Sequence, residues 1–224
     1  MGKPARSLIN IMSKDFNQNN AFGLTILKNS HKDIRRIKRQ NSITSLHGNK
    51  FWKSTLVLID YLQECLPEQL EKKPKNEPLR VLEIGCGWGL AGIFCAKQYN
   101  AQVTSLDADS AVFPFLQHHA ELNGVKITTI EKYFENITAQ ELSQYDLIIG
   151  ADICFWDELV PIISDLFERA LLAGVCKIVV TDPGRPTFRE VGDYFYENYN
   201  AIYSDWDVPS PHNVWGLILD IENN

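Results

Sequence analysis

The densest chemical signal in the sequence is Val81-Leu82-Glu83-Ile84-Gly85-Cys86-Gly87-Trp88-Gly89-Leu90-Ala91-Gly92. A short apolar strand runs into glycines that turn sharply and open a helix. Such a loop removes side chains where a ligand must approach the backbone, and the helix N-terminus adds unpaired N–H groups. Asp107 ends the next strand-like run roughly 20 residues on, where a carboxylate can accept both hydroxyls of a ribose.

Gly87 to Gly92 spells a literal G-x-G-x-x-G, the pattern of dinucleotide binding. Two features separate this loop from that pattern. Gly85 starts the turn before the motif does, so Gly85, Gly87 and Gly89 form the tight set. Glu83 stands inside an otherwise apolar strand, where an unpaired carboxylate is costly. The ammonium of a methionine moiety, directly or through loop amides and a water, would supply the donors it needs. A tight turn without a ligand explains the glycines but not Glu83 and Asp107 together.

A second group of residues suits an amine. The run Gly150-Ala151-Asp152-Ile153-Cys154-Phe155-Trp156 closes another apolar strand, at the edge where open α/β sheets place their ligand crevice. Asp152 can orient a cation and Phe155, one turn on, can receive it on its π face. Asp152 can equally be an N-cap for a helix from Trp156. His118 and His119 fall inside a helical segment without a role, and Ser, Thr and Cys lack the ordered His/Asp partners of a nucleophilic triad.

The elements that must position these groups alternate from Arg80 onward. Strands are expected at Arg80–Ile84, Gln102–Leu106, Lys126–Tyr133, Asp146–Ala151 and Lys177–Thr181. Helices are expected at Leu90–Tyr99, Ser110–Asn123, Glu158–Leu172 and from Pro186 to about Tyr199, with Gly124 and Gly174 as stops. The strand at Lys126–Tyr133 is the least apolar and so belongs near an edge. Ala201–Val208 and Val214–Ile221 are joined only by Pro209-Ser210-Pro211-His212-Asn213, too short for a parallel crossover, so they pair antiparallel. The fold class is therefore α/β: a doubly wound, mostly parallel seven-strand sheet, helices on both faces, closed by an antiparallel hairpin.

Before Arg80 the pattern predicts a helix over Lys53–Leu66 and a charged linker from Glu68 to Glu77. Residues 1–50 read as an N-terminal extension in which Leu24–Leu27 and Ile34–Arg39 can form a hairpin around Asn29-Ser30-His31. Residues 51–224 read as the catalytic domain.

Composition narrows the function classes. At 224 residues, 45% hydrophobic, the chain can bury a full core. Its 22 Lys and Arg against 28 Asp and Glu give a net charge of −6, which argues against a dedicated nucleic-acid binder. His31 to Arg39 departs from this with five bases and one Asp, read as a solvated basic strand or turn, or as a contact for an acidic partner or nucleic acid. Five scattered cysteines offer no metal-ligand spacing and suit a reducing compartment. No metal site and no membrane span is expected. The location expected is cytoplasmic, with the acid-free first residues leaving an organelle targeting peptide open.

E-x-G-x-G-x-G after the first strand, an acid after the second and the C-terminal hairpin resemble the seven-strand S-adenosylmethionine-dependent methyltransferases. The likeness covers the chain from about Leu46. It implies S-adenosyl-L-methionine as cofactor, with Glu83, Gly85, Cys86, Gly87 and Gly89 at its methionine part and Asp107 and Ala108 at its ribose. Tyr133, Phe134 and Glu135 become candidates for the adenine, with core packing as the alternative for the two rings. Ala151 is implied at the cofactor as well, and acid-x-x-aromatic at Asp152 and Phe155, implied as the catalytic pair, is similar to the protein-lysine methyltransferases of this group.

His47-Gly48-Asn49-Lys50-Phe51-Trp52 resembles the group's glycine-then-tryptophan segment, which implies Trp52 near the cofactor rather than in the core. Asp182-Pro183-Gly184-Arg185 looks like a loop of enzymes acting on the electron-transfer flavoprotein β subunit, although Arg185 can also pair with a surface acid. Phe155 where Tyr is common, and Lys53 where Pro is common, depart from the group. The implied acceptor is a lysine of a protein partner. A small amine of the nicotinamide kind, or a silent cofactor-binding interaction module, are the alternatives. A lysine must lose its proton before methylation, to water or through Asp152, because only the neutral amine has a lone pair to offer.

Overall fold

The computed structural model describes residues 18–40, 48, 50–70 and 77–223. In chain order the elements are β1 Gln18–Ala21, β2 Leu24–Leu27, α1 Lys32–Gln40, α2 Ser54–Leu70, β3 Arg80–Ile84, α3 Leu90–Tyr99 and β4 Gln102–Asp107. There follow α4 Phe113–Asn123, β5 Thr128–Glu131, α5 Ala139–Leu142, β6 Leu147–Ala151, α6 Leu159–Leu172, β7 Lys177–Asp182, α7 Pro186–Tyr199, β8 Ile202–Val208 and β9 Val214–Glu222.

The main sheet has seven strands in the order β5-β4-β3-β6-β7-β9-β8. Strands β3 to β7 run parallel, whereas β9 is antiparallel to both β7 and β8. The central strands β3, β6 and β7 are nearly continuous apolar runs because helices cover both faces. One face packs Val81, Val103 and Ile149 against α2, α3 and α4. The other packs Leu82, Ile148 and Ile178 against α5, α6 and α7. Chain order reverses at β3, where β4 leaves to one side and β6 lies on the other, so a crevice opens at the carboxyl ends of these strands. Strand β5 is the edge, as its lower apolar content indicates.

The expected N-terminal hairpin is corrected. Strand β2 pairs with the earlier β1 around Phe22-Gly23, with Gln18 opposite Leu27. Ile34–Arg39 lies in helix α1 instead, so the basic segment is neither strand nor turn. Ile34 and Ile37 are three residues apart, which puts both on one buried helix face. Asp33 in the first turn and Lys38 and Arg39 in the last complement the helix dipole. His119 anchors β2: buried, it accepts the Leu27 N–H at Nε2 (3.2 Å) and faces the Phe115 carbonyl at Nδ1 (2.8 Å).

Helix α2 extends to Leu70, into the expected linker, of which residues 71–76 lie outside the described residues, as do Met1 to Asp15. Two short helices after β5, Phe134–Asn136 and α5, were not expected. Among the described residues, no helix is long and apolar enough to cross a membrane.

Candidate active site

A cavity of about 310 Å³ opens at the carboxyl ends of the parallel strands. From β3 it receives Gly85 and Gly87, and from β4 Asp107 and Ala108. Tyr133 and Phe134 follow β5, Ala151, Asp152 and Phe155 follow β6, and Trp52 precedes α2. With Glu135, eleven of the sequence-selected residues thus line one cavity. Three others do not line it: Glu83, Cys86 and Gly89 support the loop from behind.

Gly85 and Gly87 have φ of +57° and +51°, a region L side chains rarely adopt. A side chain at Gly87 would meet nothing within 4 Å, so this part of the loop is bare backbone facing open space. Asp107 fixes it: Oδ2 accepts the Gly87 N–H and Oδ1 the Asp109 N–H, both at 3.0 Å. Burial raises the Asp107 pKa from its ordinary value, and those two N–H bonds oppose the rise. A carboxylate so fixed at a cavity wall retains lone pairs for a diol.

Glu83 finds donors within the chain: the Gly92 N–H to Oε1 (3.1 Å) and the Ser105 hydroxyl to Oε2 (2.6 Å). It therefore pins the first turn of α3. Burial pushes its pKa up to about 7, against the pull of those donors. The folded state then keeps a proton that the unfolded chain loses near 4.5, so stability falls as pH rises from about 4.5 to 7. Glu83→Gln, which preserves an acceptor and adds a donor for Ser105, should remove that slope. Ligand-free denaturant melts should show the variant gaining about 3 kcal/mol on the wild type between pH 4.5 and 8. Parallel pH profiles for both proteins would count against a buried titrating Glu83.

At the other end of the cavity Asp152 is buried and has a φ of +59°, tolerable for Asp. It does not cap a helix, since α6 starts only at Leu159 after Glu158. Instead its Oδ1 accepts from Arg185 Nη1 at 2.6 Å, and the same nitrogen reaches Asp182 Oδ2 at 2.6 Å. Arg185 thus pairs with two buried acids, not a surface one. Burial works against its charge, but the two carboxylates outweigh it and hold the guanidinium more firmly protonated than usual. Asp182 is raised by burial and steadied by the Arg185 N–H and guanidinium.

Aromatic rings complete this end. Trp52 meets Phe155 edge-on with centroids 5.4 Å apart, and Trp156 lies 5.8 Å beyond. The Lys50 ammonium lies 3.8 Å from the Trp52 ring centroid, and the Arg185 guanidinium carbon 4.5 Å from that of Phe155. Trp52 is only half-buried and lines the cavity, so it is not a core residue under the sheet. His47 and Asn49 of the same segment lie outside the described residues, while Gly48 accepts from Trp88 Nε1 at 3.2 Å and lines the cavity.

Asp109, Val112, Ile153 and Leu159 also line the cavity and were not selected from the sequence. Asp109 had a legible signal, because it caps the turn at Ser110–Val112 through its side chain. Among the described residues, no group of three or more His, Cys, Asp or Glu could hold a metal.

Glycine backbone and a diol-sized carboxylate at one end, with a carboxylate and aromatic wall at the other, suit a nucleoside ligand beside a basic acceptor. The fold is the Rossmann-like fold of methyltransferases. A magnesium protoporphyrin IX methyltransferase from Synechocystis, solved with bound S-adenosylmethionine, matches with a TM-score of 0.52 at 15% identity, covering 88% of this chain and 93% of that one. The chain belongs to the lysine methyltransferase family, whose profile matches residues 31–195. The electron transfer flavoprotein beta subunit lysine methyltransferase of Xenopus laevis is 29% identical over 49% of this chain and 44% of its own length. Protein N-lysine methyltransferase METTL21A of Xenopus tropicalis is 32% identical over 52% of each. The chain thus spans about half the length of the curated relatives it matches.

Proposed function

We propose that this protein is an S-adenosylmethionine-dependent N-methyltransferase acting on a lysine side chain of a protein partner. One observation carries the reading: a single cavity joins the Asp107-braced glycine turn to Asp152 and the aromatic rings. When bound, the cofactor supplies an electrophilic methyl group on a sulfonium. Asp107 and Ala108 would hold its ribose, and Gly85 and Gly87 would let its methionine part approach the backbone. Tyr133 and Phe134, with Glu135, would flank its adenine. Glu83, Cys86 and Gly89 would act indirectly, by fixing the loop. Ala151, Asp152, Phe155 and Trp52 would line the path of the acceptor.

The test is methyl-labelled cofactor with a proteome dialysed free of small molecules. Label recovered as methyl-lysine after hydrolysis is the expected result. Label only in added small amines, and none in protein, would replace the acceptor class.

Cofactor choice has its own measurement. S-adenosylmethionine and its demethylated product should each raise the melting temperature, whereas NAD and FAD should not. At about 100 times its dissociation constant a ligand stabilises by roughly 2.7 kcal/mol, or roughly 5–10 °C for a chain of this size. A shift with NAD alone would restore the dinucleotide reading.

A further inference from the structure

Resting on the methyltransferase reading, we propose that Arg185 is the positioning residue of the acceptor slot and makes it a slot for a free amine, not an ammonium ion. Two surfaces in the slot that would welcome a cation are the Asp152 carboxylate and the Phe155 ring. Arg185 already occupies both, at 2.6 Å and 4.5 Å.

Its placement is built into the fold. Asp182, the last residue of β7, accepts the Gly184 and Arg185 N–H groups at Oδ1 (2.8 and 2.7 Å) and the guanidinium at Oδ2. The turn into α7 is thereby wrapped around one buried carboxylate, and Arg185 points from it to Asp152. Both acids are almost fully buried, whereas the Arg185 side chain is 23% exposed, so the guanidinium is the partner nearer to solvent.

Asp152 and Asp182 together outweigh the guanidinium by one charge, but both carboxylates direct an oxygen at it. Lys50, over Trp52, adds a second cation on the approach. Beyond β6, burial pushes the Cys154 thiol up to about 12, so it stays neutral. Asp157 and Glu158 are exposed, and Arg189 donates to the Gly184 carbonyl. Asp107, Asp109, Tyr133 and Glu135 follow β4 and β5, at least two strand positions from β6 in the sheet and so on the order of 10 Å away. An ammonium at Asp152 would sit roughly 5 Å from the guanidinium, and a like charge at that range favours the neutral form.

The proton balance is simple. A lysine ammonium with an ordinary pKa near 10.4 gives its proton to bulk water on entering the slot. The amine donates one N–H to Asp152 and keeps its lone pair free, while Arg185 keeps its own hold on that side chain. No base inside the cavity is required. Arginine suits the task because, unlike lysine, it does not deprotonate in proteins.

The test uses the full chain loaded with S-adenosylhomocysteine and n-butylamine as a lysine side-chain probe. Titration calorimetry at pH 8, in two buffers of different ionisation enthalpy, counts the protons released per amine bound. The wild type should release close to one. Arg185→Gln should release close to none and bind the probe at least 10-fold more tightly, because two uncompensated carboxylates welcome the ammonium. Arg185→Lys should restore the release. If Arg185→Gln does not fold, Arg185→Gln with Asp182→Asn keeps the net charge and should also release close to none. Near-zero release by the wild type, unchanged release in the Gln variants, or no binding of the probe overturns the proposal. Failure of S-adenosylhomocysteine to bind, read in the preceding titration, overturns the methyltransferase reading itself.

Discussion

Asp152→Asn is expected to slow methyl transfer by about 100-fold while cofactor affinity stays within a few fold. Asp152 follows β6, beside the acceptor path and two strands from Asp107. Its carboxylate is already engaged by Arg185, which disfavours it as the proton acceptor and leaves it the task of aiming the amine. Misplacing a nucleophile by about 1 Å costs on the order of 10²-fold. The asparagine keeps the shape and tolerates the left-handed backbone at φ +59°, and Arg185 retains Asp182, so the fold should survive. Single-turnover rates with saturating cofactor are the measurement, with thermal melts as the control on folding. Rates near wild type would remove Asp152 from the acceptor site and leave it as a structural partner of Arg185.

Most of the fold was legible because its signals are local. Strand β3 ends in glycines, α4 ends at Asn123-Gly124 with Gly124 in the left-handed region, and five residues between β8 and β9 permit only an antiparallel pair. The N-terminal hairpin was misplaced for a physical reason. Ile34 and Ile37 suit a short helix as readily as a strand end, and the packing of α1 on α4 decides between them. Helix α5 carried a signal that went unused, since Thr138 and Glu141 form a capping box three residues apart.

The site divides in the same way. Residues that line the cavity through backbone or through a fixed strand end could be selected by type and spacing, as Gly85, Gly87, Asp107 and Asp152 were. What could not be read is which acid pairs with which base. Arg185 and Asp152 are 33 residues apart, and only the adjacency of β6 and β7 brings their loops together. Glu83 is the converse case: its strand position marked it as needing donors, but Ser105 supplies one from the neighbouring β4, a pairing that register alone determines.

Asp107→Ala is expected to weaken binding of S-adenosylmethionine by roughly 10- to 150-fold, equivalent to about 1.5–3 kcal/mol for hydrogen bonds to a charged group. Two losses combine, because the carboxylate would both accept from the ribose hydroxyls and hold the Gly87 N–H that shapes the turn. Asp107→Asn separates them in part: its amide oxygen can accept one of the two backbone N–H groups, while its amide nitrogen repels the other. Its affinity should fall between those of wild type and Ala. The pH dependence gives an independent check on the same residue. The ionised form binds, and burial has raised the Asp107 pKa, so wild-type affinity should begin to fall at a higher pH than an ordinary aspartate would cause. That acid-side loss should be absent in Asp107→Ala. Calorimetric affinities that are unchanged in the variant, or that keep the same acid limb, would mean that another group holds the ribose.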